Sequence, residues 1–265
     1  MTWVLGTNSL MSNANLVSDV CITFTKGNGT KEYVDCLQKI YNVGNFVIAG
    51  FAGSVKIGLT IIEYLHEALS HTSPEAAWNM EIIANTWLPR KLKRIYKLSP
   101  DNEKKLRCSI LVGSADPVKN NGDGPFALTY IHKFESPDFT PKKALFNEVF
   151  SIGSGKSIED YTKAVNRIKN NSDFLKMSVM SNQPYAFSFA HEIRRIVEEQ
   201  PQLGISKYFQ AGAATRGKVD IVNTFINRFT DNGEIKDDFP KLVAGYAAFY
   251  HFCKHLGIRA EGAIA

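Results

Sequence analysis

The apolar run from Phe46 to Ile62 is broken by Gly50, Gly53, Ser54, Lys56 and Gly58, and these breaks decide how it can fold. A bilayer-crossing helix needs about 20 uninterrupted apolar residues. The glycines and the lysine read better as a strand over Phe46–Ala52, a small-residue turn, and a helix over Ser54–Leu69. That helix places Ile57, Ile61, Tyr64 and Leu65 on one side. A turn of this kind can offer backbone N–H groups to a developing oxyanion. No membrane span is expected.

The rest of the chain supplies further strands and helices in alternating groups. Residues 2–7 and 16–24 read as strands joined through the Asn/Ser-rich tract Asn8–Asn15, and Lys26–Lys31 reads as a Gly/Asn-rich loop. A third strand carries Leu37, Lys39 and Tyr41 on one face. Ser73-Pro74-Glu75 is a helix start, serine as cap and proline in the first turn, for a helix reaching Leu98 with a break near Pro89. Strands follow at Cys108–Val112, Phe126–Phe134 and Val149–Ile152, with a loop at Ala115–Pro125 between the first two. Helices are expected at Ser157–Ile168 and Gln183–Glu199, strands at Lys207–Ala214 and Val219–Asn223, and a last helix over Pro240–Leu256. This order suits stacked sheets with helices outside, an α+β chain.

Composition limits the function classes. The 265 residues are 44% apolar and 22% charged, ordinary for a globular protein. A net charge of +5, evenly spread, gives no ground for nucleic-acid binding. Cys21, Cys36, Cys108 and Cys253 form no CxxC pair and read as reduced, packed thiols. No basic segment followed by an apolar one opens the chain, so no signal peptide is read and a cytoplasmic location is expected.

Thr2 stands directly behind Met1. Once that methionine is removed, a hydroxyl and a free α-amine share one residue, a nucleophile beside its own base. Three motifs then carry a family likeness: Thr2-Trp-Val-Leu-Gly6, Val47-Ile-Ala-Gly-Phe-Ala-Gly-Ser54, and Ser151-Ile-Gly-Ser-Gly155 followed by a helix. In order and spacing over residues 2–225, the chain resembles proteasome catalytic subunits. It resembles still more the peptidase subunit of the bacterial two-component ATP-dependent protease.

That resemblance implies an N-terminal-nucleophile hydrolase fold, a four-layer αββα sandwich over residues 1–225. Residues 226–265 would be a helical extension packed on the same domain, without a counterpart in the family. It implies a threonine-type peptidase with Thr2 as nucleophile and its amine as base. Lys39 would favour the alkoxide, Asp19 would hold Lys39, the Gly53 N–H would face the oxyanion, and Ser154 would support the amine. Thr23 would pair its backbone with an extended polypeptide substrate, and Ile22, Phe51 and Val55 would shape a shallow apolar pocket. A homo-oligomeric ring and an ATP-dependent unfoldase are the partners implied; nucleic acid and membrane are not. One departure is plain: where the family has an Asp-x-x-Ser pair, this chain reads Gln200-Pro-Gln-Leu-Gly-Ile-Ser206, with only Ser206 to substitute. A ring or scaffold subunit that kept the fold and lost the reaction is the alternative.

Other motifs reduce to structure. Gly153-Ser-Gly-Lys-Ser157 lacks the glycine that a phosphate-binding loop needs five positions before Gly155; Phe150 stands there. His251 and His255 share a helix face from which Cys253 points away, so no metal site is expected. Arg90-Lys-Leu-Lys-Arg94 reads as a solvated helix face, with a subunit or unfoldase contact as the lesser reading. No cofactor is implied.

Overall fold

The computed structural model of the chain describes residues 2–9, 13–71, 79–116, 128–145, 148–170, 185–215, 218–223, 227–229, 235–237 and 239–265. Fourteen strands lie within them: β1 (Trp3–Ser9), β2 (Asn13–Asp19), β3 (Cys21–Thr25), β4 (Lys31–Asp35), β5 (Ile40–Gly44), β6 (Val47–Gly53), β7 (Cys108–Ala115), β8 (Thr129–Glu135), β9 (Lys142–Lys143), β10 (Val149–Gly153), β11 (Phe209–Ala214), β12 (Val219–Asn223), β13 (Asn227–Phe229) and β14 (Ile235–Asp237). The helices are α1 (Val55–Leu69), α2 (Met80–Thr86), α3 (Leu88–Leu98), α4 (Asp101–Lys105), α5 (Glu159–Asn170), α6 (Tyr185–Glu199) and α7 (Tyr246–His255), with a 3₁₀ turn at Ser154–Ser157.

Two five-stranded sheets form the centre, ordered β10-β1-β2-β11-β12 and β5-β6-β7-β8-β9, with antiparallel pairing throughout. Strand alternation sorts their side chains into three apolar interfaces. Val4, Leu16, Ile48, Leu111, Ile131 and Ile152 face inward and fill the space between the sheets. Trp3, Leu5 and Val17 turn outward against Tyr161 of α5 and Phe189 and Ile193 of α6. Val47, Ala49, Phe51, Ile110 and Val112 turn outward from the second sheet against α1, α2, α3 and α7. Three cores between four layers make the αββα sandwich expected from the sequence.

The local departures have physical causes. The strand expected over 16–24 is two strands, because Asp19 bends the chain. Its carboxylate accepts from the Cys21 N–H at 3.0 Å, a local side-chain-to-backbone bond that competes with the ladder. β3 therefore leaves the first sheet and pairs with β4. The third strand starts at Ile40, not Leu37, since Leu37 donates to the Val20 carbonyl at 3.1 Å and Lys39 to the Gln210 side chain at 2.9 Å. Residues 73–78 lie outside the described residues, so the Ser73 helix start does too. Beyond them the long helix is α2 and α3, joined at Trp87, with Pro89 in the first turn of α3 where its missing N–H is harmless. The last helix starts at Tyr246, well after Pro240. Val243 is held extended by bonds to Cys36 (2.7 Å) and Gln38 (3.1 Å), and Gly245 turns with φ 84°.

Candidate active site

The ladder brings the site together. β1 lies between β10 and β2, with Trp3 opposite Gly153 and Val4 opposite Ser18. Thr2, one residue before β1, therefore falls between the end of β10 and the end of β2. Its N–H donates to Ser154 Oγ at 2.9 Å, and its carbonyl accepts from the Gly155 N–H at 3.1 Å. Gly153 makes this approach possible. Its φ is +82°, and a Cβ there would lie 2.3 Å from the Thr2 carbonyl oxygen.

Lys39, at the mouth of β5, is fully buried. Its Nζ donates to Thr2 Oγ1 at 2.8 Å, to Asp19 Oδ1 at 3.1 Å and to the Cys21 carbonyl. Asp19, also fully buried, accepts in addition from the N–H groups of Trp3 (2.8 Å), Cys21 (3.0 Å) and Ser206 (3.4 Å). Buried charge persists when it is paired and hydrogen-bonded on its remaining sites, as both members are here. An ammonium donated to a hydroxyl oxygen stabilises the alkoxide that would form there.

Gly53 closes the opposite wall at the end of β6. Its φ is +103°, and a Cβ there would meet the Arg107 carbonyl oxygen at 2.5 Å, so only glycine fits. Its N–H is donated at 2.6 Å to the carbonyl of Ala265. Thr23 pairs its N–H and C=O with Ile264 at 2.8 and 3.0 Å. Ile22, Phe51 and Val55 are buried in one apolar cluster, in which the Phe51 ring stacks on Tyr41.

Thr2, Asp19, Lys39 and Ser154 thus meet directly, whereas Gly53 and Thr23 meet the last residues of the chain. Sequence reasoning missed the N–H groups of Trp3 and Ser206 on Asp19, and the Cys21 carbonyl on Lys39. No side-chain signal marks such backbone contacts. The Ser206 hydroxyl oxygen accepts from the Tyr208 N–H at 2.9 Å. The thiols stay protonated. Burial pushes Cys21 and Cys36 up to about 12 and Cys253 up to about 11. Among the described residues no group of three His, Cys, Asp or Glu side chains is placed to hold a metal ion. No described helix is long and apolar enough to cross a membrane.

No family model matches the chain, and no curated protein matches it. Among solved structures it is similar to Anbu (ancestral beta-subunit) from Yersinia bercovieri, with a TM-score of 0.54 over 80% of this chain and 81% of that one, at 13% identity. The fold is proteasome-like. At that identity the likeness speaks for architecture alone.

Proposed function

We propose that the chain is a threonine-type amide hydrolase, a peptidase, acting through Thr2 after removal of Met1. The observation that carries this reading is the buried ammonium of Lys39 at 2.8 Å from Thr2 Oγ1, held from behind by Asp19. With Met1 gone, the α-amine stands at Ser154 Oγ, and an unperturbed α-amine has a pKa of about 7.7–8.0, suited to a base near neutral pH. The amine takes the Thr2 hydroxyl proton, directly or through a water, as Oγ1 bonds to the substrate carbonyl carbon. The carbonyl oxygen, now negative, takes the Gly53 N–H. The tetrahedral centre collapses, the C–N bond breaks, and the proton passes from the amine to the leaving nitrogen. Water, deprotonated by the same amine, then cleaves the ester and returns Thr2.

In this reading Thr23 guides an extended polypeptide by strand addition, and Ile22, Phe51 and Val55 form the floor under its side chains. Residues 1–225 are the catalytic domain and 226–265 an extension on it. The working form is a homo-oligomeric ring in the cytoplasm, fed by an ATP-dependent unfoldase. A Thr2→Ala chain keeps the fold and loses all hydrolysis of a fluorogenic peptide, measured on protein whose intact mass lacks one methionine. Hydrolysis surviving in Thr2→Ala overturns the assignment.

A second reading, a ring subunit without activity, draws support from two features. The aspartate expected near Gly204 is missing, and the Gly53 N–H is already taken by Ala265. Full-length mass, with Met1 retained in protein from the native host, would favour it.

A further inference from the structure

The last residues of the chain lie in the groove where a substrate would lie. Ala263, Ile264 and Ala265 run as a short extended strand between two edges, with main-chain bonds on both sides. Thr23 donates to the Ile264 carbonyl (2.8 Å) and accepts from the Ile264 N–H (3.0 Å). Across the strand, Gly53 donates to the Ala265 carbonyl (2.6 Å) and accepts from the Ala265 N–H (2.8 Å), while the Val55 N–H donates to the Ala263 carbonyl (3.0 Å). A three-residue segment making five main-chain bonds is strand addition from within the same molecule.

Its side chains carry the second half of the observation. Ala263 and Ala265 are 1% and 2% exposed and belong to the apolar cluster that holds Ile22, Phe51 and Val55. Ala265 shares a cavity of about 220 Å³ with Thr2, Gly53 and Ser154. The segment is also fastened. Gly262 turns with φ +79°, and its N–H donates to Glu103 Oε1 at 2.8 Å. The other oxygen of Glu103 accepts from Ser54 Oγ at 2.5 Å. Ser54 follows Gly53 and caps α1 through the Ile57 N–H at 3.1 Å. One buried carboxylate therefore ties the turn before the strand to the residue next to the oxyanion donor.

We propose that residues 263–265 are a built-in occupant of the substrate groove. They close it until they are withdrawn, and they display the peptide it takes: extended, with alanine-sized side chains at the residue whose carbonyl meets Gly53 and at the residue two before it. This rests on the peptidase reading of Thr2, because the groove has meaning as a substrate site only beside a nucleophile. A segment tethered by a short linker competes at an effective concentration of about 1 mM, so a free peptide at micromolar concentration loses to it.

The test compares the 265-residue chain with one ended after Gly262 and with a full-length Ile264→Pro variant. That variant removes the N–H given to Thr23 and serves if the shortened chain does not fold. Two readouts are taken: anisotropy of a fluorescein-labelled hexapeptide with the sequence of residues 260–265, and hydrolysis of fluorogenic peptides with alanine or phenylalanine at the cleaved position. The labelled peptide is expected to bind the shortened or Ile264→Pro chain and not the full one. Hydrolysis after alanine is expected to rise at least about tenfold at micromolar substrate, since a competitor near 1 mM has gone; hydrolysis after phenylalanine stays low. Binding with no cleavage by any chain keeps the groove assignment and removes the peptidase. Equal cleavage by all chains keeps the peptidase and overturns the built-in occupant. Peptide bound equally by all three chains, or by none, also overturns it.

Discussion

Two buried polar clusters sit at opposite ends of the same strand and are built by opposite rules. At the Cys108 end of β7, beside Gly53, Lys39 uses its three donors on three acceptors, and Asp19 receives the Lys39 ammonium and three backbone N–H groups. At the Ser114 end, beside Val47, Ser114 Oγ, Asp116 Oδ1 and both ring nitrogens of His132 are buried with no hydrogen-bond partner among the described residues. Asp116 Oδ2 accepts from the Tyr130 hydroxyl at 3.3 Å. His132 stacks between Tyr130 and Phe134 on the helix-facing side of β8. Burial pushes Asp116 up to about 6 and His132 down to about 4, the direction of a place that resists charge. The first cluster keeps its charges by wiring each of them; the second has no wiring and drifts toward neutral forms. Desolvation is common to both, so partners make the difference.

Removing a partner from the wired end should have the largest effect. Lys39→Ala leaves the Asp19 carboxyl buried without its counter-charge, a change that costs about 3–5 kcal/mol in comparable buried pairs. Urea unfolding of Lys39→Ala should show that loss, and peptide hydrolysis should vanish with it. A loss under about 1 kcal/mol, the range of an exposed pair, would mean that the ammonium is not held from three sides.

The wired end was also the more legible from sequence. Thr2, Gly53 and Ser154 lie in motifs, and Asp19 and Lys39 at positions between them, that resemble a known family in order and spacing. What escaped notice was contact made by backbone or by segments too short to show a period. β4 alternates poorly because its residues are half-exposed on both faces. α4 is five polar residues long. The strand at 263–265 pairs with Thr23 and Gly53 over more than two hundred intervening positions, and no periodicity can announce three residues. His132 reads as an ordinary strand residue and Asp116 as part of the loop expected at Ala115–Pro125, since nothing in a pattern of apolar positions says that a polar side chain will be buried.

The unwired end yields a prediction of opposite sign. His132 is a base whose folded pKa, about 4, lies below its ordinary value of 6.5. Between those values the unfolded chain binds more protons than the folded one. Stability is therefore full above pH 6.5 and falls as the pH drops toward 4. His132→Phe removes two nitrogens that have no partner among the described residues and keeps the stacked ring, so at pH 7.5 it should be neutral or slightly stabilising. At pH 5 the variant should exceed the parent by about 1–3 kcal/mol, since each pKa unit is worth about 1.4 kcal/mol. Thermal melts at the two pH values check this. A variant less stable than the parent at pH 5 would show that His132 gains something from its surroundings that the geometry lacks.

Asp116 should give an effect of similar size, and its pH dependence runs the other way. Its folded pKa, raised by burial to about 6 from 3.8, makes the folded chain the better proton binder between those values. Its contribution is present below about pH 3.8 and is lost as the pH rises through 6. Asp116→Asn keeps an acceptor for the Tyr130 hydroxyl and removes the charge, so it should stabilise by about 1–3 kcal/mol above pH 6 and by under about 1 kcal/mol at pH 4, each pKa unit being worth about 1.4 kcal/mol. In the parent the two groups oppose each other across pH 4–6, and their contributions partly cancel. Relative to the parent, Asp116→Asn should steepen the loss of stability on acidification, and His132→Phe should flatten it. Curves that move in the same direction for both variants would mean that one outside charge governs this end of β7, and the contrast with the wired end would then be one of degree.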